Sequence, residues 1–333
     1  MKGLLEQFNG LKALVVGDVM IDAYSKGVVE RMSPEAPVPI VDLREQFSRL
    51  GGAANVAINL KALGAIPMIC SVIGDDSHAD DFLALMRENG LATEGLVKSD
   101  KRVTTVKHRV FNGDKQLLRI DEENTFDLTE DEYSKLFQII ENQIETTDII
   151  ILQDYNKGVL SEKMIKAVIG LAKARHIPVA VDPKKKNFFA YQGVTLFKPN
   201  AKELRDGLGV HAETIGELRK AAQSLQERLQ CQYLMVTLSE QGVMILRDGE
   251  FHHLPAHPRH IVDVSGAGDT VLSVAALCVA LFEKDACDAS LHPGAATIAS
   301  ISNLAGGLVC EEVGVVPINK EKLLQEVNRI QHE

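Results

Sequence analysis

The sequence predicts an α/β fold, a mainly parallel central sheet flanked by helices, and three observations carry that prediction. Short β-branched runs alternate with longer helical patterns along the chain, the order that parallel strands joined by crossover helices produce. The residues after successive strand candidates are polar, which collects chemistry along one edge of such a sheet. Two stretches, 24–41 and 97–120, break the alternation and read as strands without intervening helices, a small β-layer beside the main sheet.

The first strand is expected at 13–16, apolar throughout, and it enters Gly17-Asp18-Val19-Met20-Ile21-Asp22. Pro34, Pro37 and Pro39 keep 24–41 out of any helix and place it at an edge. Gly51-Gly52-Ala53-Ala54-Asn55 opens a helix over 53–63, followed by a strand at 68–72 that runs into Gly74-Asp75-Asp76 and a helix at 79–88. Within 97–120, residues 103–111 and 116–120 form a hairpin around Asn112-Gly113-Asp114. Helices at 130–144 and 162–174 bracket a strand at 149–152, which leads to Asp154-Tyr155-Asn156-Lys157-Gly158. Strands at 179–181 and 194–197 lead to Asp182-Pro183-Lys184 and Lys198-Pro199-Asn200. A helix at 215–229, a strand at 233–237 and a long apolar helix at 270–281 complete the pattern. Without repeats or linkers, residues 1–333 read as a single domain, with 24–41 and 97–120 as a lid that covers a substrate or meets a second subunit.

With 333 residues, 45% hydrophobic and 25% charged, the chain buries a large core. A formal charge of −10 argues against general nucleic-acid or membrane-surface binding while leaving room for a local basic pocket. No signal-peptide pattern or membrane-length apolar run is present, so a cytoplasmic location is expected. Cys70, Cys231, Cys278, Cys287 and Cys310 lack C-x-x-C spacing, which argues against a disulfide framework and a zinc site. The ten histidines show no H-E-x-x-H spacing. A Walker P-loop is absent, and Gly266-Ala267-Gly268 lacks the third glycine of a dinucleotide-binding turn.

The stretch Asp263-Val264-Ser265-Gly266-Ala267-Gly268-Asp269 precedes the apolar helix and carries the most chemistry. The first turn of that helix would aim free N–H groups and a positive dipole end at one point, a place for an anion. There Asp269 could take a proton from an attacking hydroxyl while the Ala267 and Gly268 amides hold developing phosphoryl charge. Asn200 and Glu203, three apart, could orient waters on a magnesium ion bridging nucleotide phosphates; Asn200 reads equally as a helix cap. Gly51 and Gly52 would let backbone approach a sugar hydroxyl beside Asn55, and Asp18 and Asp22 could accept sugar hydroxyls or be ordinary loop aspartates. Lys184, Lys157 and Arg109 offer cations that could grip a phosphate already on the substrate.

Together these motifs resemble the ribokinase-like, or PfkB, sugar kinase family over nearly the whole chain. Gly51-Gly52-Ala53-Ala54-Asn55 with Gly64 and Gly74 is similar to its amino-terminal signature, Asp263 to Asp269 to its D-x-x-G-A-G-D signature, and Asn200-Ala201-Lys202-Glu203 to its N-x-x-E magnesium motif. The resemblance implies that Gly266, Ala267 and Gly268 form an anion hole, that Asp269 is the base, and that ATP and magnesium are the cofactors. It also implies nucleotide contacts at Thr237, Ser239, Gly242, Asp263 and Asn303, with Ser239 standing where many relatives have glycine. Gly314-Val315-Val316 lacks the hydroxyl residues found near a monovalent-cation site in relatives.

Within the family, the chain resembles the D-glycero-β-D-manno-heptose 7-phosphate kinases that form the first half of bifunctional ADP-heptose synthesis proteins. Arg31-Met32-Ser33-Pro34-Glu35-Ala36-Pro37-Val38-Pro39, Leu118-Arg119-Ile120-Asp121, Asp154-Tyr155-Asn156-Lys157-Gly158 and Asp182-Pro183-Lys184 carry this closer resemblance. It implies phosphorylation of the anomeric hydroxyl in ADP-heptose and lipopolysaccharide core biosynthesis. No H-x-G-H motif occurs, so a separate adenylyltransferase is expected, as is a homodimer. Fructose phosphate, ribose or a nucleoside as acceptor, and a catalytically silent sugar-phosphate-binding module, remain as alternatives.

Overall fold

The computed structural model describes residues 2–284 and 294–331, so Cys287 lies outside the described residues. Strand β1 (Lys12–Gly17) has Ala13 and Val15 in one hydrophobic cluster and Leu14 and Val16 in another, because successive side chains point to opposite faces. Both faces of the sheet are therefore covered, which explains why its strands read as continuous apolar runs. After β1 come β2 (Val19–Met32), β3 (Pro39–Gly52), helix α1 (Ala53–Ala62), β4 (Ile66–Gly74), α2 (Ser77–Glu88) and β5 (Leu96–Ser99). The chain continues through β6 (Val106–Asn112), β7 (Lys115–Glu122), α3 (Glu130–Gln143), β8 (Ile149–Gln153), α4 (Glu162–Ala174) and β9 (Val179–Asp182). Then follow β10 (Leu196–Phe197), α5 (Ala201–Leu208), α6 (Ile215–Leu229), β11 (Tyr233–Thr237), β12 (Val243–Arg247) and β13 (Glu250–Leu254). Helices α7 (Ala267–Lys284), α8 (Ala295–Val309) and α9 (Lys320–Gln331) close the order; a short helix, Lys2–Gln7, precedes β1.

Nine strands form the main sheet in the order β13-β12-β11-β10-β9-β8-β1-β4-β5, parallel from β11 to β5 and antiparallel at β11-β12-β13. From β1 the chain moves outward to β4 and β5, then returns to β8 on the other side of β1. That reversal opens a crevice beyond the carboxyl ends of β1 and β8, where ligands bind in open α/β sheets. Side-chain caps set several helix starts: Thr129 and Glu132 form a capping box on α3, as do Thr214 and Glu217 on α6. Helix α7 is buried all round from Asp269 to Phe282 and packs against α1 and α8, so Asp269 is a carboxylate at the start of a buried rod. No helix among the described residues is long and apolar enough to cross a membrane.

The four-stranded lid sheet has the order β3-β2-β6-β7. Its strands are longer than expected: β2 and β3 reach Val19 and Gly52, placing Asp22, Gly51 and Gly52 inside lid strands. Residues 42–49 hide this because they are exposed or half-buried on both faces and show no apolar alternation. Residues 97–99 are not in the lid, since β5 pairs with β4 in the main sheet, and the first hairpin strand starts at Val106. Two adjacent cross-strand rows give one lid face its character. Arg49, Asp22, Lys107 and Asp121 form one row, and Phe47, Tyr24, Arg109 and Arg119 the next. The opposite face carries Leu118 and Ile120, about half exposed.

Candidate active site

Register partners Gly17 and Gln153 end β1 and β8 side by side, so Asp18 and Asp154 enter the crevice together. Asp269, in the first turn of α7, is 5% exposed yet ringed by donors rather than hydrocarbon. Asn55 Nδ2 donates to its Oδ2 at 2.7 Å; Tyr155 Oη and Gln153 Nε2 donate to its Oδ1 at 2.9 and 3.1 Å. Burial pushes the carboxyl up to about 6 and Asp182 adds to the rise, while the Asn55 and Tyr155 hydrogen bonds and Lys198 oppose it. A carboxylate so held is fixed in direction and basic near neutral pH, which suits a general base.

The turn before Asp269 needs glycine at position 266. Its φ is +81°, and an added Cβ would stand 2.9 Å from Asn55 Nδ2. Asp263 braces this turn: its Oδ1 accepts from the Ser265 amide at 2.9 Å and its Oδ2 from the Gly314 amide at 2.8 Å. Both carboxylate oxygens thus serve loop geometry, a role different from the expected nucleotide contact. Helix geometry leaves the Gly268 and Asp269 amides without intrahelical acceptors. The space beside Gly268 is open, with Lys198 Nζ the nearest atom to an added Cβ at 3.8 Å. Lys198 is 2% exposed and paired with Asp182 at 3.0 Å, which sets a buried cation beside these amides. Free amides, a helix dipole and an ammonium together suit an anionic phosphoryl group.

At the nucleotide loop, Ser239 has φ 54°, the left-handed conformation that glycine adopts without strain, so the serine keeps the glycine backbone. Gly242 has φ +88°, and an added Cβ would lie 2.1 Å from the Leu254 carbonyl oxygen, so no larger residue fits. Thr237 bridges to Asn200, and Asn303 donates to the Pro255 carbonyl at 2.9 Å, which ties α8 to the segment after β13. Asn200 and Glu203 make a reciprocal capping box on α5, at 2.8 Å in each direction. Among the described residues no group of three or more His, Cys, Asp or Glu side chains could hold a metal ion. One cation position nevertheless exists: the Lys184 ammonium contacts Glu203 and lies 3.7 Å from Asp182. Burial works against its charge, but the two carboxylates outweigh that and hold its pKa above the ordinary range.

The expected sugar residues divide. Gly51 packs on Asp22, and Gly52, with φ +61°, on the Asp18 carbonyl. Asp22 is buried and pairs with Arg109 at 2.5 Å. Asp18 is already engaged: Tyr155 and Lys157 amides donate to its Oδ2 at 2.8 and 2.9 Å and the Val159 amide to its Oδ1 at 3.1 Å. It therefore shapes the 155–159 loop, with too few free lone pairs for two sugar hydroxyls. Arg109, Lys157 and Lys184 do not form a free cationic pocket, since they pair with Asp22, Glu123 and Glu203 respectively. The roles of Gln153, Tyr155 and Lys198 were not legible; their signal was only a position at or just after a strand end.

Known proteins resemble this chain in sequence and in fold. The profile of the pfkB family carbohydrate kinases covers residues 11–321. The chain is 38% identical over 323 residues to the bifunctional protein HldE of Syntrophotalea carbinolica, covering 97% of this chain and 64% of that one. It is 41% identical to bifunctional protein HldE of Methylobacillus flagellatus over 94% of this chain and 62% of the relative. The chain thus spans somewhat under two thirds of the length of these two relatives. Among solved structures, phosphofructokinase-2 from Escherichia coli in complex with potassium superimposes with a TM-score of 0.77 at 18% identity, over 96% of this chain and 100% of that one. Arabidopsis thaliana ribokinase complexed with ribose and ATP gives 0.71 at 18%, over 95% and 99%. These structures share the fold, an α/β ribokinase-like sheet with a four-stranded lid. Profile and relatives show the family: the chain belongs to the pfkB family of carbohydrate kinases, which are phosphotransferases.

Proposed function

We propose that this chain transfers the γ-phosphoryl group of ATP to the anomeric hydroxyl of D-glycero-β-D-manno-heptose 7-phosphate, giving the 1,7-bisphosphate. The observation that carries the kinase chemistry is Asp269 in its cage of Asn55, Gln153 and Tyr155, at the amino end of α7. The heptose acceptor rests on the motifs of the lid and of the 154–158 loop, and on 36–41% identity to the HldE relatives over more than nine tenths of the chain. In this reading Asp269 takes the hydroxyl proton as the oxygen attacks phosphorus, the bond to the β-phosphate oxygen breaks, and ADP leaves. The Gly268 and Asp269 amides with Lys198 receive the transferring group on a turn set by Gly266, the Ala267 amide being already engaged by the Val264 carbonyl at 3.3 Å, while Asp22, Gly51, Gly52 and Asn55 orient the sugar. Thr237, Ser239, Gly242 and Asn303 bound the nucleotide side. Magnesium bound with the nucleotide would screen phosphate charge; Asp182 and Glu203 fit it, since an ammonium already lies between them, with Asn200 holding Glu203 in place.

An acceptor panel tests the proposal. Heptose 7-phosphate should exceed fructose 6-phosphate, ribose and adenosine in kcat/KM by about 10²-fold or more, measured by ADP release. A preference for ribose or adenosine would reject the heptose acceptor. The pH profile tests the base. With Asp269 at about 6, kcat/KM should fall below that pH as the carboxylate protonates. Tyr155→Phe removes a donor that stabilises the charged form, so the acid limb should move up by about one pH unit. Asp182, Lys198 and Lys184 also face Asp269 and stay unchanged in that variant. An unmoved limb would exclude Tyr155 from setting the base's proton affinity.

A homodimer through the lid is part of the same proposal. Leu118 and Ile120, on edge strand β7, present half-exposed apolar side chains away from the crevice. Ile120→Glu should shift sedimentation from dimer to monomer; a wild-type monomer at micromolar concentration would reject the dimer. Cytoplasmic ATP would supply the donor.

A further inference from the structure

An acceptor that already bears a phosphate needs cations set back from the reacting hydroxyl, and Arg109 and Lys184 are committed to Asp22 and Glu203. One arrangement at the base of the lid differs. Lys107 Nζ lies 3.3 Å from Glu123 Oε2, and Lys157 Nζ lies 2.6 Å from Glu123 Oε1. Two ammonium groups from separate elements, β6 and the loop after β8, thus converge on one carboxylate. Lys107 has a second carboxylate at 3.4 Å, Asp121, but both oxygens of Asp121 already accept from Arg119, at 2.7 and 2.9 Å. Partial burial works upward on Glu123, yet the two ammonium groups outweigh it and hold its carboxyl below the usual range. Arg102 lies beside the pair, its own charge balanced by buried Glu132 at 3.1 Å. It donates to the Lys157 carbonyl at 3.2 Å, lines a small cavity with Lys157 and Asn124, and its Nη2 is buried without a partner.

The pair is coupled to the reacting end of the site. Lys157 lies two residues beyond Tyr155, which donates to Asp269, and Asp18 holds both of their amides. Lys107 is the β6 row partner of Asp22, so it shares a lid face with the proposed sugar residues. A monoanionic carboxylate between two ammonium groups leaves a positive balance that a phosphate monoester, with close to two charges and three acceptor oxygens, satisfies better.

We infer that Lys107 and Lys157 form the subsite for the phosphate already carried by the acceptor sugar, and that Glu123 is a resident anion which this phosphate displaces. The inference rests on the reading of the chain as a kinase of a phosphorylated sugar. It makes predictions of opposite sign for two residues of one ion-pair cluster. Lys107→Ala should raise KM for heptose 7-phosphate about tenfold or more and leave KM for ATP within about twofold. Glu123→Gln should lower KM for the same sugar phosphate several-fold, because the competing charge is gone. A purely structural cluster would raise KM or lower stability in both variants, and a raised KM in Glu123→Gln overturns the inference. Inorganic phosphate tests the subsite independently of the sugar: it should compete with the acceptor in the wild type, more strongly in Glu123→Gln and weakly in Lys107→Ala. Equal inhibition in all three overturns the subsite, whereas a panel preference for unphosphorylated ribose or adenosine overturns the acceptor reading instead.

Discussion

Asp269→Asn is expected to lower kcat by about 10²-fold or more while KM for ATP stays within about twofold. The amide is nearly isosteric and still accepts from Tyr155 and Gln153 through its oxygen, but it has no basic site for the hydroxyl proton. Its NH₂ would face Asn55 Nδ2, so one donor pair is mismatched. Against that stands the removal of a buried charge. A carboxyl at about 6 in the folded protein, against 3.8 as its ordinary value, loses stability as pH rises from the lower value through the higher. At pH 8 the full cost applies, on the order of 3 kcal/mol. The asparagine carries no such cost, so its Tm at pH 8 should equal or exceed that of the wild type. Steady-state kinetics and thermal unfolding on one preparation check both halves. Near-normal turnover would remove Asp269 from the role of base; a large fall in Tm would mean that the loss of turnover reflects damage to the fold.

The order of α/β elements was legible because buried parallel strands leave uncharged runs and capped helices leave local signals. Helices Glu162–Ala174 and Ile215–Leu229 and strand Tyr233–Thr237 fall at their expected bounds, and the first two follow Ser161 and Thr214 caps. Strand β3 was not legible, since its residues before Leu50 are largely exposed and lack the alternation that one buried face imposes. The β12–β13 hairpin carries a readable Asp248-Gly249 turn, but only β12 is apolar; β13, Glu-Phe-His-His-Leu, has no buried residue to mark it as a strand. Helix α8 is rich in Ala, Gly and Ser, so little amphipathic pattern marks it. In the site, the glycine turn and Asp269 were legible because one short segment contains them. Tertiary pairing was not. Asp18 binds amides 137 to 141 positions away, and Lys184 is taken by Glu203, 19 positions on; sequence supplies the residue types but not which charges meet.

Asp18→Ala is expected to cost about 3 kcal/mol or more of unfolding free energy and to lower kcat at least about tenfold. Asp18 is 1% exposed, and its carboxylate gathers the Tyr155, Lys157 and Val159 amides at 2.8 to 3.1 Å. Burial raises its pKa, while these three N–H groups and Arg102 oppose the rise. Truncation would leave those amides without their acceptor where solvent reaches poorly, at about 1–3 kcal/mol each. The same loop holds Asn156 at φ 56°, kept there by a 2.7 Å bond from its amide to Asp154, which Tyr191 anchors in turn at 2.8 Å. Loosening it would release Tyr155 from Asp269 and Lys157 from Glu123 together, so turnover should fall with stability. Asp18→Asn keeps one carbonyl oxygen, enough for the two shorter bonds, and should recover part of both losses. Urea unfolding with matched kinetics separates this from the reading in which Asp18 accepts sugar hydroxyls. A direct sugar contact would raise KM for the acceptor with unfolding free energy unchanged, whereas a loop anchor must lose stability even with no sugar present.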